Sequence, residues 1–390
     1  MSFRCVHFIR EIRSELGGVV TAVLDLSQAM AARGHRVTIM TCDAQDVPQE
    51  WRGPGQWPTV VEAPHSRFSK GILSRPGVAR FSDSLSDADI VHLHTPWELA
   101  NFQLAPQITR RGKPYVVTPH GMLDHYTMSQ KRLKKRVFLA LRGRSLFRNA
   151  TTVHFTAQAE MDQALHYVPV TGRSAVISCL LDLSAYRELP GPDAALQTFP
   201  QIRADAFKIL FLSRVHPKKG VDRLIQAGAE LKRRGAKPFQ LLVAGPGDES
   251  YLAGLKRLAA DLGVGDVIHF LGMVRGVVKR SLYQAADVFA LPTHQENFGL
   301  VLAEAMACGT PVVTTRGADI WQELQQGGAQ IVDGSPTGIA DGISFFAEDA
   351  ERRQIAEQGR AFVNDWLDRD RVAEAYEAMY ADAIERGRRG

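Results

Sequence analysis

The chain has 390 residues, 45% of them apolar and 23% charged, which is too long for one ordinary core and leads to an expectation of two globular domains. No run of about 18 apolar residues occurs, which excludes a spanning helix. The formal charge of +5 is uneven, +7 over residues 1–185 and −2 over 186–390, so any anionic surface is expected to meet the first half.

Strand-like runs alternate with helical stretches from one end to the other. "RCVHFI" (4–9) comes first, after an N-terminus too short and too soon charged for a secretory leader. "SELGGVVTAVLDL" (14–26) follows, where Gly17 and Gly18 let backbone approach a ligand at a strand-to-helix turn. The pair falls short of a Gly-x-Gly-x-x-Gly pattern, so it is weak by itself. The helix "VVTAVLDLSQAMAARG" stops at Gly34. Strands are expected at "RVTIMT" (36–41), "DIVHLH" (89–94), "YVVTP" (115–119), "TTVHFT" (151–156) and "SAVIS" (174–178).

Within that half, His120 in "YVVTPHGMLD" stands just past a strand end. It is either a structural imidazole or a group that positions or protonates a reacting atom. His92 and His94 share one strand face without a third metal ligand placed by sequence. Asp87 with Asp89, and Asp368 with Asp370, read as solvated carboxylates rather than a metal-holding pair. "KRLKKRVFLALRGRSLFR" (131–148) carries eight basic and no acidic residues. It suits phosphates or an anionic membrane surface, or simply forms a solvated helix face. Without interleaved aromatics it is not a nucleic-acid module.

"RELPGPDAALQTFPQIRADAF" (187–207), with three prolines and no periodicity, is expected to be a linker. Beyond it come "KILFLS" (208–213), "FQLLVAG" (239–245), "DVIHFLG" (266–272), "DVFALP" (287–292), "TPVVTT" (310–315) and "AQIVD" (329–333). Apolar strands with helical crossovers predict parallel sheets, hence two doubly wound α/β domains whose strand ends face one cleft. The domains are expected at 1–186 and 208–365. Residues 366–390 form a helix free to pack back on the first. The cysteines Cys5, Cys42, Cys179 and Cys308 lack metal-ligand spacing and read as reduced, buried thiols of a cytoplasmic protein.

Two segments of the second half can take a phosphorylated ligand. In "FLSRVHPKKGVDRLIQA" (211–227), Arg214 and Lys219 lie in one strand-to-helix loop, where two cations neutralise a pyrophosphate; Lys218 reads as surface. In "THQENFGLVLAEAMACGTPVV" (293–313), Glu296 precedes a glycine-punctuated helix start and Glu304 lies inside the helix. The amides of Gly299, Leu300 and Val301 suit a phosphate, and the two carboxylates suit sugar or ribose hydroxyls. The alternative is a surface helix with two solvated glutamates. Met306 and the ring of Phe298 read as packing.

Together with "LGGV", "RGHRVTIMT", "SRVHPKKG" and "VAGPGD", the Glu-x7-Glu pair from Glu296 to Glu304 makes the whole chain resemble the retaining glycosyltransferases of family 4, which have two Rossmann-like domains in the GT-B arrangement. The resemblance implies transfer of a sugar from a nucleoside-diphosphate donor to a carbohydrate or lipid-linked acceptor, with no metal or other cofactor. It implies catalytic roles for His120, Glu296, Arg214 and Lys219. It implies donor contacts at Gly17, Gly18, Asn297, Phe298, Gly299, Leu300 and Glu304 as well, with Glu296 on the sugar and Glu304 on the ribose. "GMVRG" (272–276) lies where the family meets the base. "ISCLLDLSAY" departs from the family's Pro-Asn-Gly-Val/Ile-Asp segment, leaving only Asp182. The stretch after His120 is similar to that of members that build bacterial surface polysaccharides. A nucleotide-sugar epimerase or a non-catalytic sugar-nucleotide binder is the alternative, and the lack of a dinucleotide fingerprint argues against a dehydrogenase.

Overall fold

A computed structural model describes residues 2–53, 55, 57–69 and 71–389. The chain forms two compact units, residues 1–181 with 369–390, and residues 182–368. The first unit holds a sheet of β1 (Arg4–Phe8), β2 (Arg36–Thr41), β3 (Thr59–Glu62), β4 (Ile90–His94), β5 (Tyr115–Thr118), β6 (Thr152–Phe155) and β7 (Arg173–Val176), in the order β3-β2-β1-β4-β5-β6-β7. All its pairs are parallel. Covered by helices on both faces, β4 and β5 are buried at every position, while the edge strands β3 and β7 are not. That is why the central strands read as runs without polar alternation, broken chiefly by histidines that are themselves buried, and β3, beside a proline-rich stretch, escapes the sequence pattern.

The helix Arg369–Arg389 belongs to this first unit. Val372, Tyr376, Met379, Tyr380 and Ala383 join Phe3, Met30, Val37 and Ile90 in one apolar cluster. Glu377 accepts from Arg33 Nε and Nη2 at 2.9 and 3.1 Å, and Arg33 holds its carboxyl below the usual range.

The second unit holds β8 (Phe207–Leu212), β9 (Phe239–Ala244), β10 (Ile268–Gly272), β11 (Val288–Leu291), β12 (Val312–Thr315) and β13 (Gln330–Val332), ordered β10-β9-β8-β11-β12-β13. These pairs are parallel too. Residues 187–207 are not a linker. They lie inside this unit and contain a helix, Asp193–Thr198, whose fully buried Ala195 donates its amide to Ser281 Oγ at 2.8 Å. Alanines without periodicity supply the contact, so the prolines misled the expectation. The unit begins at Asp182, where Oδ1 accepts from the Ser184 amide.

In each sheet the chain order reverses beside its first strand, between β1 and β4 and between β8 and β11. Ligands of open parallel sheets gather at the carboxyl ends of such strands.

Candidate functional site

In the second unit, the loop after β8 carries Arg214 and Lys219. Gly220, which follows, has φ 73°, and a Cβ there would sit 2.1 Å from the Pro292 carbonyl oxygen. Only glycine permits this approach of the loop to the end of β11. Two further bonds stitch the loops together, because the Lys218 carbonyl accepts from Thr293 Oγ1 at 2.9 Å and from the His294 amide at 2.8 Å. Lys218, expected as surface, is therefore a tether through its backbone. Glu296 is fixed in turn by the Glu296 amide to the Gly317 carbonyl at 2.7 Å and the Asp319 amide to the Glu296 carbonyl at 2.9 Å.

These tethers bring Lys219 Nζ and Glu296 Oε2 into an ion pair, with side chains only 12% and 19% exposed. Burial, then the neighbouring Lys218 and Arg214, push the ammonium down, and the contact with Glu296 acts the other way. Arg214 is exposed and has no ion-pair partner among the described residues. The loop thus offers one cation already matched to a carboxylate and one open to solvent.

Glu296 leads into the helix Leu300–Ala307 through Gly299, at φ 66°. A Cβ at Gly299 would come within 2.8 Å of Glu296 Cγ and Leu302 Cδ1. The first amides of the helix have no intrahelical acceptor and suit an anion. The Phe298 ring is buried and stacks on Trp366 at 5.6 Å, so what Phe298 presents to a ligand is its backbone. Glu304 is buried, not solvated. Its Oε2 takes Lys279 Nζ at 2.6 Å and the Tyr283 hydroxyl at 3.1 Å. The Tyr186 hydroxyl is a third partner, and since a carboxylate accepts about four hydrogen bonds, some acceptor capacity is left for hydroxyls. Lys279 and Tyr283 have no signal in the sequence, since both lie on a helix, Gly276–Ala285, whose polar residues otherwise read as surface.

In the first unit, Gly17 (φ 85°) caps the helix Gly18–Ala32 at the end of the loop after β1. His120, two residues past β5, has φ 52°, a conformation unusual for a residue with a Cβ. The Gly121 amide donates to the buried carboxylate of Glu160 at 2.6 Å, and Glu160 also accepts from the Thr156 amide at 2.7 Å and the Thr156 hydroxyl at 2.8 Å. Glu160 therefore clamps the backbone beside His120.

His120 belongs to a cluster of five histidines in two hydrogen-bonded sets, packed together through the His92 and His94 rings at 4.1 Å. Its Nε2 lies 2.9 Å from His94 Nδ1, and His94 Nε2 lies 3.0 Å from His7 Nδ1. His92 Nδ1 meets the Tyr380 hydroxyl at 2.8 Å, and His92 Nε2 meets Thr118 Oγ1 at 2.7 Å. Thr118 Oγ1 in turn lies 2.8 Å from His154 Nδ1. His7 joins His92 and His94 with ligand atoms within 4.8 Å of one another, but His92 has both nitrogens in hydrogen bonds. Burial lowers all five imidazoles: His7 and His120 to about 3, His154 to about 4, His92 and His94 well below the ordinary value. The sequence shows the pair His92 and His94. It hides His7 and His154, which only the adjacency of β1, β4, β5 and β6 brings in.

The other sequence candidates have structural partners. Asp87 pairs with Arg4 at 3.0 Å, Asp89 accepts from the Arg4 amide, and Asp370 pairs with Arg33. All four cysteines are free thiols, three buried and Cys42 half-buried. Residues 131–148 form helices at Arg132–Phe138 and Arg144–Arg148 joined by a π-helical turn, Leu139–Gly143. Leu139, Leu146 and Phe147 anchor them in the core, while Leu133 (78%) and Leu141 (77%) stay exposed with Val137 between them. Among the described residues no helix is long and apolar enough to cross a membrane.

Residues 195–362 match the family described as Glycosyl transferases group 1, and residues 16–185 match Glycosyltransferase Family 4. A relative from Saccharomonospora viridis, called D-inositol 3-phosphate glycosyltransferase, is 34% identical over 372 residues, covering 88% of this chain and 84% of its own. One of the same name from Thermomonospora curvata is 27% identical over 366 residues, covering 87% and 84%. The structure of sucrose-phosphate synthase from Thermosynechococcus elongatus is similar with a TM-score of 0.76 at 20% identity, over 97% of this chain and 98% of that one. The Anabaena protein Alr3699/HepE in complex with UDP-glucose gives 0.75 at 20% identity, over 97% and 100%.

Proposed function

Because the chain belongs to the family 4 glycosyltransferases of the GT-B fold, which use nucleotide-sugar donors, we propose that it is a retaining, metal-independent enzyme that moves a sugar onto an acceptor hydroxyl in polysaccharide or glycolipid assembly. The observation that carries this reading is the Lys219–Glu296 pair at the reversal point of the second sheet, beside a glycine-capped helix start. As the bond from the anomeric carbon to the diphosphate breaks, negative charge grows on the leaving group. Lys219 turns from Glu296 to that charge, Arg214 joins it, and the first amides of Leu300–Ala307 complete the set. Glu296 then has its carboxylate free for sugar hydroxyls, and Glu304 keeps lone pairs for the ribose. His120 offers a ring nitrogen for a hydrogen bond to a sugar hydroxyl. The acceptor oxygen bonds to the anomeric carbon on the face the diphosphate leaves, and its proton goes out with the diphosphate.

A thermal-shift panel of nucleotide sugars tests the donor. A ligand at 100 times its dissociation constant adds about 2.7 kcal/mol. Product analysis of the stabilising donor with lipid-linked sugars and with inositol phosphate as acceptors then separates the acceptor classes, the second suggested by the names of the relatives. An epimerised donor, or binding with neither transfer nor donor hydrolysis, would refute the reading.

The membrane belongs to the same proposal. Lys131, Arg132, Lys134 and Arg136 accompany the exposed Leu133, Val137 and Leu141, a surface suited to anionic headgroups and the acyl boundary beneath them. A cytoplasmic enzyme would be drawn to a membrane there, with about 1 kcal/mol per cation, screened over about 8 Å. Changing those four cations to Gln should abolish sedimentation with anionic vesicles at low salt. Equal sedimentation of variant and wild type, or none by either, would end this part.

A further inference from the structure

His120 enters the reaction through one ring, yet that ring is the end of a chain of imidazoles that the transfer chemistry does not use. His94 is closed off from solvent, as is His7, whereas His120 is half-buried. A neutral imidazole has one N–H, and both nitrogens of His94 lie within hydrogen-bond distance of a neighbouring imidazole. His94 must therefore donate to one neighbour and accept from the other, and the chain has a direction.

The far end decides which direction. His7 Nε2 is buried and has no hydrogen-bond partner among the described residues. If protons pointed from His120 inward, this atom would be an N–H donor with nothing to bond. If they point outward, it is a bare lone pair. Buried donors left unpaired are rarer and costlier than under-used acceptors. Outward is therefore the stable order: His7 Nδ1–H to His94 Nε2, then His94 Nδ1–H to His120 Nε2. His120 must then carry its proton on Nδ1.

We propose that His94 and His7 are positioning residues that lock His120 as the Nδ1–H tautomer, so that it meets the bound sugar as a hydrogen-bond donor to an oxygen and cannot serve as a base through that nitrogen. The backbone supports this. Thr95 after β4 and His120 after β5 both sit at positive φ, at 64° and 52°. Asn101 Nδ2 donates to the carbonyls of His94 at 3.0 Å and Thr95 at 2.7 Å. Glu160 clamps the peptide on the far side of His120. Strained backbone held from several sides is typical of positions kept for function. Outer partners of this kind fix imidazole tautomers elsewhere.

The test is a long-range nitrogen–proton correlation spectrum of the full chain labelled at histidine, with no sugar present. The wild type should show His120 protonated at Nδ1 and bare at Nε2. His7→Leu, which touches neither His120 nor any substrate, should mix the two forms, and His7→Asn, whose amide can replace the Nδ1 donor, should restore one. In transfer assays His7→Leu should lower kcat roughly 10–100-fold, the scale of outer-shell imidazole partners, with KM for the donor little changed and recovery in His7→Asn. His120 protonated at Nε2 in the wild type would overturn the proposal without any variant having to fold. So would an unchanged His120 tautomer in a folded His7→Leu. The kinetic arm rests on the glycosyl-transfer reading and the spectrum does not, so the two fail separately.

Discussion

The two sheets carry their chemistry at the same topological place in opposite electrical states. Where β1 meets β4, the first unit buries imidazoles that are neutral and bonded to one another. Where β8 meets β11, the second unit buries an ammonium against a carboxylate. Both arrangements satisfy polar groups away from water, but they respond differently to a change of charge. Neutral imidazoles resist protonation and keep fixed hydrogen bonds, which suits positioning a sugar. An ion pair can exchange one partner for a ligand of the same sign, which suits a leaving group that gains charge during the reaction.

Acid should separate the two most sharply. In the unfolded chain each histidine titrates near 6.5, while the five of the first unit titrate well below that when folded. Stability is untouched above pH 6.5 and falls as pH drops from there towards 3–4, because the unfolded chain binds the protons first. The loss steepens with each imidazole that stays neutral in the fold while the unfolded chain takes up a proton. Glu160, raised by burial, offsets part of this at lower pH. Hydrogen exchange followed from pH 7 to 5 should show β1, β4 and β5 losing protection before β8 and β11. Loss in both sheets at one pH would break the contrast.

The ion pair comes next. Lys219→Met should reduce transfer by roughly 2.7–4 kcal/mol, about 100- to 1,000-fold, if a single oxyanion donor is a fair scale. It also leaves Glu296 without its partner, at about 1–3 kcal/mol of stability, less than for a fully buried pair. Lys219→Met with Glu296→Gln should regain the stability and not the transfer, as denaturant titration and assay of the same samples would reveal. Transfer near that of the wild type in a folded Lys219→Met would remove the lysine from the reaction.

A smaller effect is expected from Gly220→Ala. The positive φ and the approach to Pro292 should cost about 2–3 kcal/mol of stability. The loop that holds Lys219 shifts with it, so the donor-induced thermal shift should shrink too. An unchanged melting temperature would mean that the loop tolerates a Cβ there. The smallest effect belongs to chelation. With Lys219, Arg214 and a helix start supplying positive charge, excess chelator should leave transfer unchanged. Activity lost on chelation and restored by magnesium or manganese would transfer the charge compensation from the second unit to a cation.

Some of this is written locally and some is not. Runs such as "IVHLH" and "FQLLVA" mark strands buried on both faces by composition alone, and glycines at 220 and 299 mark turns that a Cβ would block, so the doubly wound class and the two ligand loops are legible in the sequence. The edge strand Thr59–Glu62 and the helix Asp193–Thr198 are not, because half-buried or alanine-lined segments carry no strong period and nearby prolines suggest loops. The partners of the site residues were settled by the order of strands. His7 lies 85 residues from His92 in sequence yet faces it across the β1–β4 ladder. Lys219 meets Glu296 only because β8 pairs with β11. Local sequence sets where a strand ends and which side chain stands there. Which two strand ends become neighbours, and so whether an imidazole finds another imidazole or a lysine finds a glutamate, is decided by long-range packing of the sheet that no short stretch encodes.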